Sequence, residues 1–107
     1  MKINVIAVGN LKSNYIRAGV ADFEKRLRRH VKLNIIEVDA EKIRSGLSEA
    51  EKEQIKEKEL ERIKERINNT SYSIALDAQG KHMTSKGLAK SIGNLQVQGY
   101  SEIDFII

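Results

Sequence analysis

Ile3–Val8 is a nearly continuous apolar run, the pattern of a strand buried on both faces. Gly9–Lys12 read as a loop, after which Ser13 is placed to cap a helix by accepting from an orphan backbone N–H. Ile16, Val20, Phe23 and Leu27 then fall four, three and four residues apart, one stripe of an α-helix, with Arg17, Lys25 and Arg28 pointing elsewhere. The period returns to two at Val31, Leu33 and Ile35, and Ile36 and Val38 extend that run as a second strand. Beyond a loop containing Gly46, Ser48 and Glu51 form an S-x-x-E capping box. It opens a helix predicted to continue to about Ile67 and to stop at Asn68-Asn69. The apolar stripe of that helix is narrow (Ile55, Leu60, Ile63, Ile67), so most of its surface faces water. Tyr72–Leu76 is the third strand. A third helix starts near Thr84 or Ser85 and buries Leu88, Ile92 and Leu95, and Gly99 precedes a last strand, Ile103–Ile107.

The order β-α-β-α-β-α-β predicts an α/β fold: an open, mostly parallel sheet covered on both sides through right-handed crossovers. Residues 1–107 have the length of a single domain, and no linker, repeat or low-complexity tract divides them. No crossover helix follows the last apolar strand, so that strand is expected to need cover from beyond these residues.

Composition narrows the chemistry. There is no cysteine, which excludes a disulfide scaffold and thiolate metal sites. No apolar run approaches the roughly 18–20 residues of a membrane span, and the N-terminus opens directly into a strand with no signal peptide, so a cytoplasmic protein without membrane contact is expected. Net charge is +4, and Ser13–Lys32 holds six bases against two acids, a difference of +4. A basic patch there, centred on Arg26, Arg28 and Arg29, can attract phosphates; an Arg-rich solvated face is the plainer reading.

The usual catalytic signatures are absent: no G-x-G-x-x-G after the first strand, no Walker A loop, no G-x-S-x-G elbow and no H-E-x-x-H. His30 and His82 are isolated and suggest no metal site. Tyr15 and Tyr72 do not amount to a base-stacking platform. The stretch Ile74-Ala75-Leu76-Asp77-Ala78-Gln79-Gly80-Lys81 is the most suggestive, since ligands of open α/β sheets sit outside the carboxyl ends of the strands. Within it, Asp77 reads first as a turn former bonding its own backbone two residues on, and Gly80 as a permissive turn residue. Local chemistry leaves the catalytic residues unknown.

An ordered set of stretches resembles the ribosomal RNA large-subunit methyltransferase H family, within the SPOUT (trefoil-knotted) methyltransferases. The set comprises Met1-Lys2-Ile3 through Ala7-Val8-Gly9-Asn10-Leu11-Lys12, Asp22–Leu27, Ile35–Val38, Lys58-Glu59, Leu76–Lys81, Ser85–Ala89 and Ile103–Ile107. It covers essentially the whole chain, and its specificity lies in the order, not in any one piece. The resemblance implies a homodimeric enzyme that uses S-adenosylmethionine to methylate N3 of a pseudouridine in large-subunit (23S) rRNA, with no metal. It implies a cofactor contact at Leu76, with Asp77 and Gly80 shaping the loop, and leaves Arg26, Arg28 and Arg29 for RNA. Family members continue with a Gly-Gly loop, a knotted segment and a C-terminal helix that hold most cofactor contacts. On that implication residues 1–107 are the N-terminal portion of a SPOUT methyltransferase, expected to bind cofactor poorly and to be inactive alone. The alternative is a catalytically silent α/β module that binds RNA or protein; a flavodoxin-like phosphate site is disfavoured because the first βα loop offers only Gly9.

Overall fold

The computed structural model describes residues 1–9 and 14–107, with the side chains of 14–16 outside the description. The Ser13 cap, most of the Gly9–Lys12 loop and the Ile16 and Tyr15 side chains therefore lie outside the described residues. The elements are β1 (Lys2–Val8), α1 (Asn14–Leu27), β2 (Lys32–Val38), α2 (Glu49–Lys64), β3 (Tyr72–Ala75), α3 (Ser85–Val97) and β4 (Glu102–Ile106). All strands pair in parallel, in the order β2-β1-β4-β3. The alternation of strands and helices thus produces the parallel α/β sheet it predicts. The right-handed crossover rule, applied to this strand order, places α1 and α3 on one face and α2 on the other.

Local chemistry explains the helix ends. Ser48 Oγ accepts from the Glu51 N–H at 3.2 Å while the Ser48 N–H donates to Glu51 Oε1 at 3.3 Å, the predicted capping box. α2 stops at Lys64, short of Ile67, because the Arg66 and Ile67 N–H groups reach back only three residues, to the Ile63 and Lys64 carbonyls. α3 ends in a Schellman turn: Gly99 (φ 102°) donates to Gln96 O, and Tyr100 donates to Leu95 O, each at 3.0 Å. That turn delivers Tyr100 edge-on to Tyr72, ring centroids 5.3 Å apart. β3 and β4 close one residue before their predicted ends. Their ladders run on, since the Leu76 N–H donates to Ile106 O at 2.8 Å and the Ile107 N–H to Ile6 O at 2.9 Å.

α1 departs from its amphipathic expectation. Phe23 is 63% exposed and Leu27 46%, while Val20 and Glu24 are the half-buried positions of the helix from Arg17 onward. The helix lies over the edge strand β2, and a cleft of about 580 Å³ between them is lined by Arg17, Val20, Glu24, Arg28 and residues 34–37. An edge strand presents little apolar width, so only one narrow side of α1 finds sheet to cover.

Among the described residues the buried apolar ones are Ile6, Leu33, Val38, Leu95 and Ile103, and beside them lies a polar row that the strand pattern does not announce. Register aligns Asn34, Asn4, Asp104 and Ser73 across the four strands. Asn4 is 4% exposed and Asp104 fully buried. The Asn4 amide donates to Asp104 Oδ1 at 2.6 Å and to Glu102 Oε1 at 2.7 Å, and its oxygen accepts from Asn34 Nδ2 at 3.0 Å. From the α2–β3 connection, Ser71 Oγ donates to Asp104 Oδ2, and Asn68 Nδ2 donates to Glu102 Oε2 at 3.3 Å. No buried side-chain nitrogen or oxygen among the described residues lacks a partner. The bond from Asn4, helped by Asn68 and Lys2 and opposed by partial burial, holds the Glu102 carboxyl below the usual glutamate range.

Asn4→Ala should cost roughly 2–4 kcal/mol in urea unfolding, because it leaves two carboxylates short of a donor inside the sheet. A loss below about 0.5 kcal/mol would show the row to be dispensable. Glu102 carries a depressed folded value, so its contribution is present above the unfolded glutamate range and is lost as pH falls through the folded value. Glu102→Gln should therefore flatten the acid limb of a stability–pH curve below about pH 4–5 and leave neutral-to-alkaline slopes unchanged.

Candidate functional site

In a parallel sheet every β-to-α connection emerges at one edge, and the β3–α3 connection is there the best-formed candidate site. Residues 74–78, 80–85 and 88 line a cleft of about 620 Å³. That volume suits a small-molecule ligand, typically about 300–1,000 Å³. Leu76, Asp77 and Gly80 all line it, so the three residues singled out from the sequence meet at one place.

Each does something different. Leu76 is anchored by its backbone to β4, but its side chain does not finish the core: the residue is 54% exposed. A large apolar side chain presented at a cleft is available to an apolar ligand surface without first leaving a packed interior. Asp77 forms the expected turn, its Oδ1 accepting from the Gln79 N–H at 2.9 Å, while its carbonyl accepts from the Gly80 N–H at 2.9 Å. Gly80 differs from expectation. Positive φ among the described glycines occurs at Gly9, Gly46 and Gly99, so what sets Gly80 apart is close approach: a Cβ there would lie a tight 3.1 Å from the Asp77 carbonyl oxygen. Thr84 Oγ1 then accepts from the Gly87 N–H at 3.0 Å and starts α3, closing the far wall.

Arg26, Arg28 and Arg29 sit at the other end of the sheet. Arg26 is in the last turn of α1, and Arg28 and Arg29 occupy the turn leading to β2, on the edge where strands begin. Arg26 pairs with Asp22 at 2.9 Å and lies over the Phe23 ring, and Arg28 pairs with Glu24. Arg29 has no ion pair among the described residues. Two of the three charges are therefore offset locally, as helical i,i+4 pairs.

A second basic segment escaped the sequence reading. From Ala78 to Ser101 the chain has three lysines (Lys81, Lys86, Lys90) and His82 with no acidic residue, a net +3; Asp77, just before this stretch, brings the cleft loop and α3 together to +2. The 13–32 region has six bases less two acids, +4; the remaining residues have ten bases less thirteen acids, −3; the three sum to the total of +4. The signal was the absence of acids, which a search for dense bases overlooks. Among the described residues no group of three or more His, Asp or Glu side chains could hold a metal, and no helix is long and apolar enough to cross a membrane.

The family model for a predicted SPOUT methyltransferase matches residues 1–107. The chain is 55% identical over 107 residues to a ribosomal RNA large subunit methyltransferase H from Halothermothrix orenii, covering 100% of this chain and 67% of that protein. Proteins of the same description from Finegoldia magna and Streptococcus suis are 48% and 44% identical, each with the same two coverages.

Asp77→Ala should speed hydrogen exchange of the Gln79 amide at least severalfold while costing about 1 kcal/mol or less, since one exposed turn bond is removed. Asp77→Asn, which keeps an acceptor oxygen, should leave exchange near the parent rate; equal acceleration in both variants would mean that the charge, not the turn, matters.

Proposed function

The chain belongs to the ribosomal RNA large-subunit methyltransferase H family within the SPOUT methyltransferases, and on that premise we propose that it serves S-adenosylmethionine-dependent methylation of large-subunit (23S) rRNA. The finer target is N3 of a pseudouridine, the enzyme is a cytoplasmic homodimer acting on the ribosome, and no metal takes part. The observation that carries the reading is the convergence of Leu76, Asp77 and Gly80 on one cleft at the carboxyl edge of a parallel sheet, in a chain of this family.

The residues present fit the cofactor. Leu76 offers an exposed apolar side chain and Met83, 56% exposed, a second, suited to the flat faces of an adenosyl group. Asp77 and Gly80 keep the loop tight, so its backbone edges stay open to the cleft. When bound, S-adenosylmethionine supplies a methyl group already activated on a sulfonium, and the protein's share is chiefly binding and alignment. The target base has to leave its stack to reach such a site. Arg26, Arg28 and Arg29 serve as a peripheral RNA contact, weakened by their own acidic partners. Exposed Phe23 and Leu27 on α1 leave apolar area for a second copy.

The test, made like the titrations below in a protein of the relatives' full length that carries residues 1–107, is methyl transfer from labelled S-adenosylmethionine to ribosomes and large subunits from a host lacking the enzyme, with the modified position mapped by mass spectrometry. Label on another RNA, or on no RNA, overturns the reading.

Exposure at Leu76 makes a sharper variant possible. Leu76→Lys should change unfolding free energy by about 0.5 kcal/mol or less, as surface substitutions do. It should nevertheless lower cofactor affinity about tenfold or more in calorimetric titration, by putting a charge where an apolar face is bound. Leu76→Met should retain most affinity. If Leu76→Lys binds cofactor as the parent does, Leu76 is not a cofactor contact.

A further inference from the structure

We propose that Lys81, Lys86 and Lys90 form a phosphate-binding track that leads the RNA substrate along α3 to the mouth of the β3–α3 cleft. The inference rests on the rRNA methylation reading above and assigns it a substrate-positioning surface distinct from the arginine patch.

Place is the first argument. Lys81 lines the cleft itself, beside His82, and Lys86 follows Ser85, the cleft residue that opens α3. Lys90 is four residues further on, so Lys86 and Lys90 share one side of the helix with Cβ atoms about 6 Å apart. All three lysines are exposed, whereas Leu88, Ile92 and Leu95 turn inward. The arginines lie at the opposite edge of the sheet, too far round the fold to steer a base into this cleft.

Charge is the second. No ion pair or hydrogen bond engages Lys81, Lys86 or Lys90 among the described residues, and no acid occurs between Ala78 and Ser101. Contrast α2, where Lys52 pairs with Glu49 and Lys56 with Glu53. Like charges at i,i+4 repel, and α3 carries that repulsion without any acidic partner to offset it. A phosphate backbone supplies the missing counter-charge, and an uncompensated lysine attracts it more strongly than one already paired.

Three proteins of the relatives' full length, each carrying residues 1–107, decide the matter: the parent, the triple variant Lys81→Ala/Lys86→Ala/Lys90→Ala, and a charge-matched triple on α2, Lys52→Ala/Lys56→Ala/Lys64→Ala. Binding to large ribosomal subunits lacking the modification is measured across a salt series, with cofactor affinity measured separately. The track variant should bind subunits about tenfold or more weakly at low salt, with the slope of log K against log salt reduced by roughly 2–3. In the double variant Lys86→Ala/Lys90→Ala, whose residues lie outside the cleft lining, subunit binding should fall in the same direction while cofactor affinity changes less than about twofold, and the α2 variant should track the parent. The charge-keeping triple Lys81→Arg/Lys86→Arg/Lys90→Arg should retain most of the binding. Subunit binding unchanged in the track variant, or lost equally in the α2 variant, overturns the proposal. So does a matched loss of cofactor affinity in the double variant, which would assign the lysines to the cofactor's carboxylate. A parent that neither binds nor methylates the subunits refutes the rRNA reading itself, and the track with it; a parent that does both while the track variant is unaffected refutes the track alone.

Discussion

Asn4 spends both amide hydrogens on carboxylates of β4 and its oxygen on Asn34 of β2, joining three strands through one side chain. Asp104, buried completely, accepts from Asn4 on one oxygen and Ser71 on the other. A buried carboxyl without donors is costly in a sheet interior, and the Asn4 bond that satisfies Asp104 also ties β1 to β4 in the observed register. The same row fastens the α2–β3 connection through Asn68 and Ser71, and that connection delivers β3 to its edge position. The cleft after β3 inherits its place from this arrangement.

The two ends of the sheet are built for different work. Where strands begin, polar side chains bond to one another, and Arg26 and Arg28 are paired with Asp22 and Glu24. Where β3 ends, Leu76, Met83 and Lys81 remain uncommitted around an open cleft. Binding groups need that freedom, because a side chain already satisfied within the protein gains little from a ligand. The division follows from parallel topology, which gathers all β-to-α connections at one edge.

Much of this was legible in the order of residues. Periods of two and near four identify the elements, the Ser48–Glu51 box and the Asp77 turn are local hydrogen bonds between near neighbours, and the alternation of elements implies a parallel sheet. Such features depend on residues within a few positions of each other, so the chain states them directly. Family membership is likewise carried by motifs in order along the chain.

Tertiary structure alone decided the rest. Asn4 and Asp104 are separated by a hundred positions, and each looks like a blemish in an apolar run until pairing brings them to 2.6 Å. Phe23 and Leu27 belong to a correct helical stripe, yet α1 lies over an edge strand too narrow to bury it. Leu76 reads as the last residue of the third strand, but the chain turns at Asp77 and leaves it exposed at a cleft. In each case burial is a property of what packs opposite, and a sequence specifies the face of an element without saying whether anything will cover it.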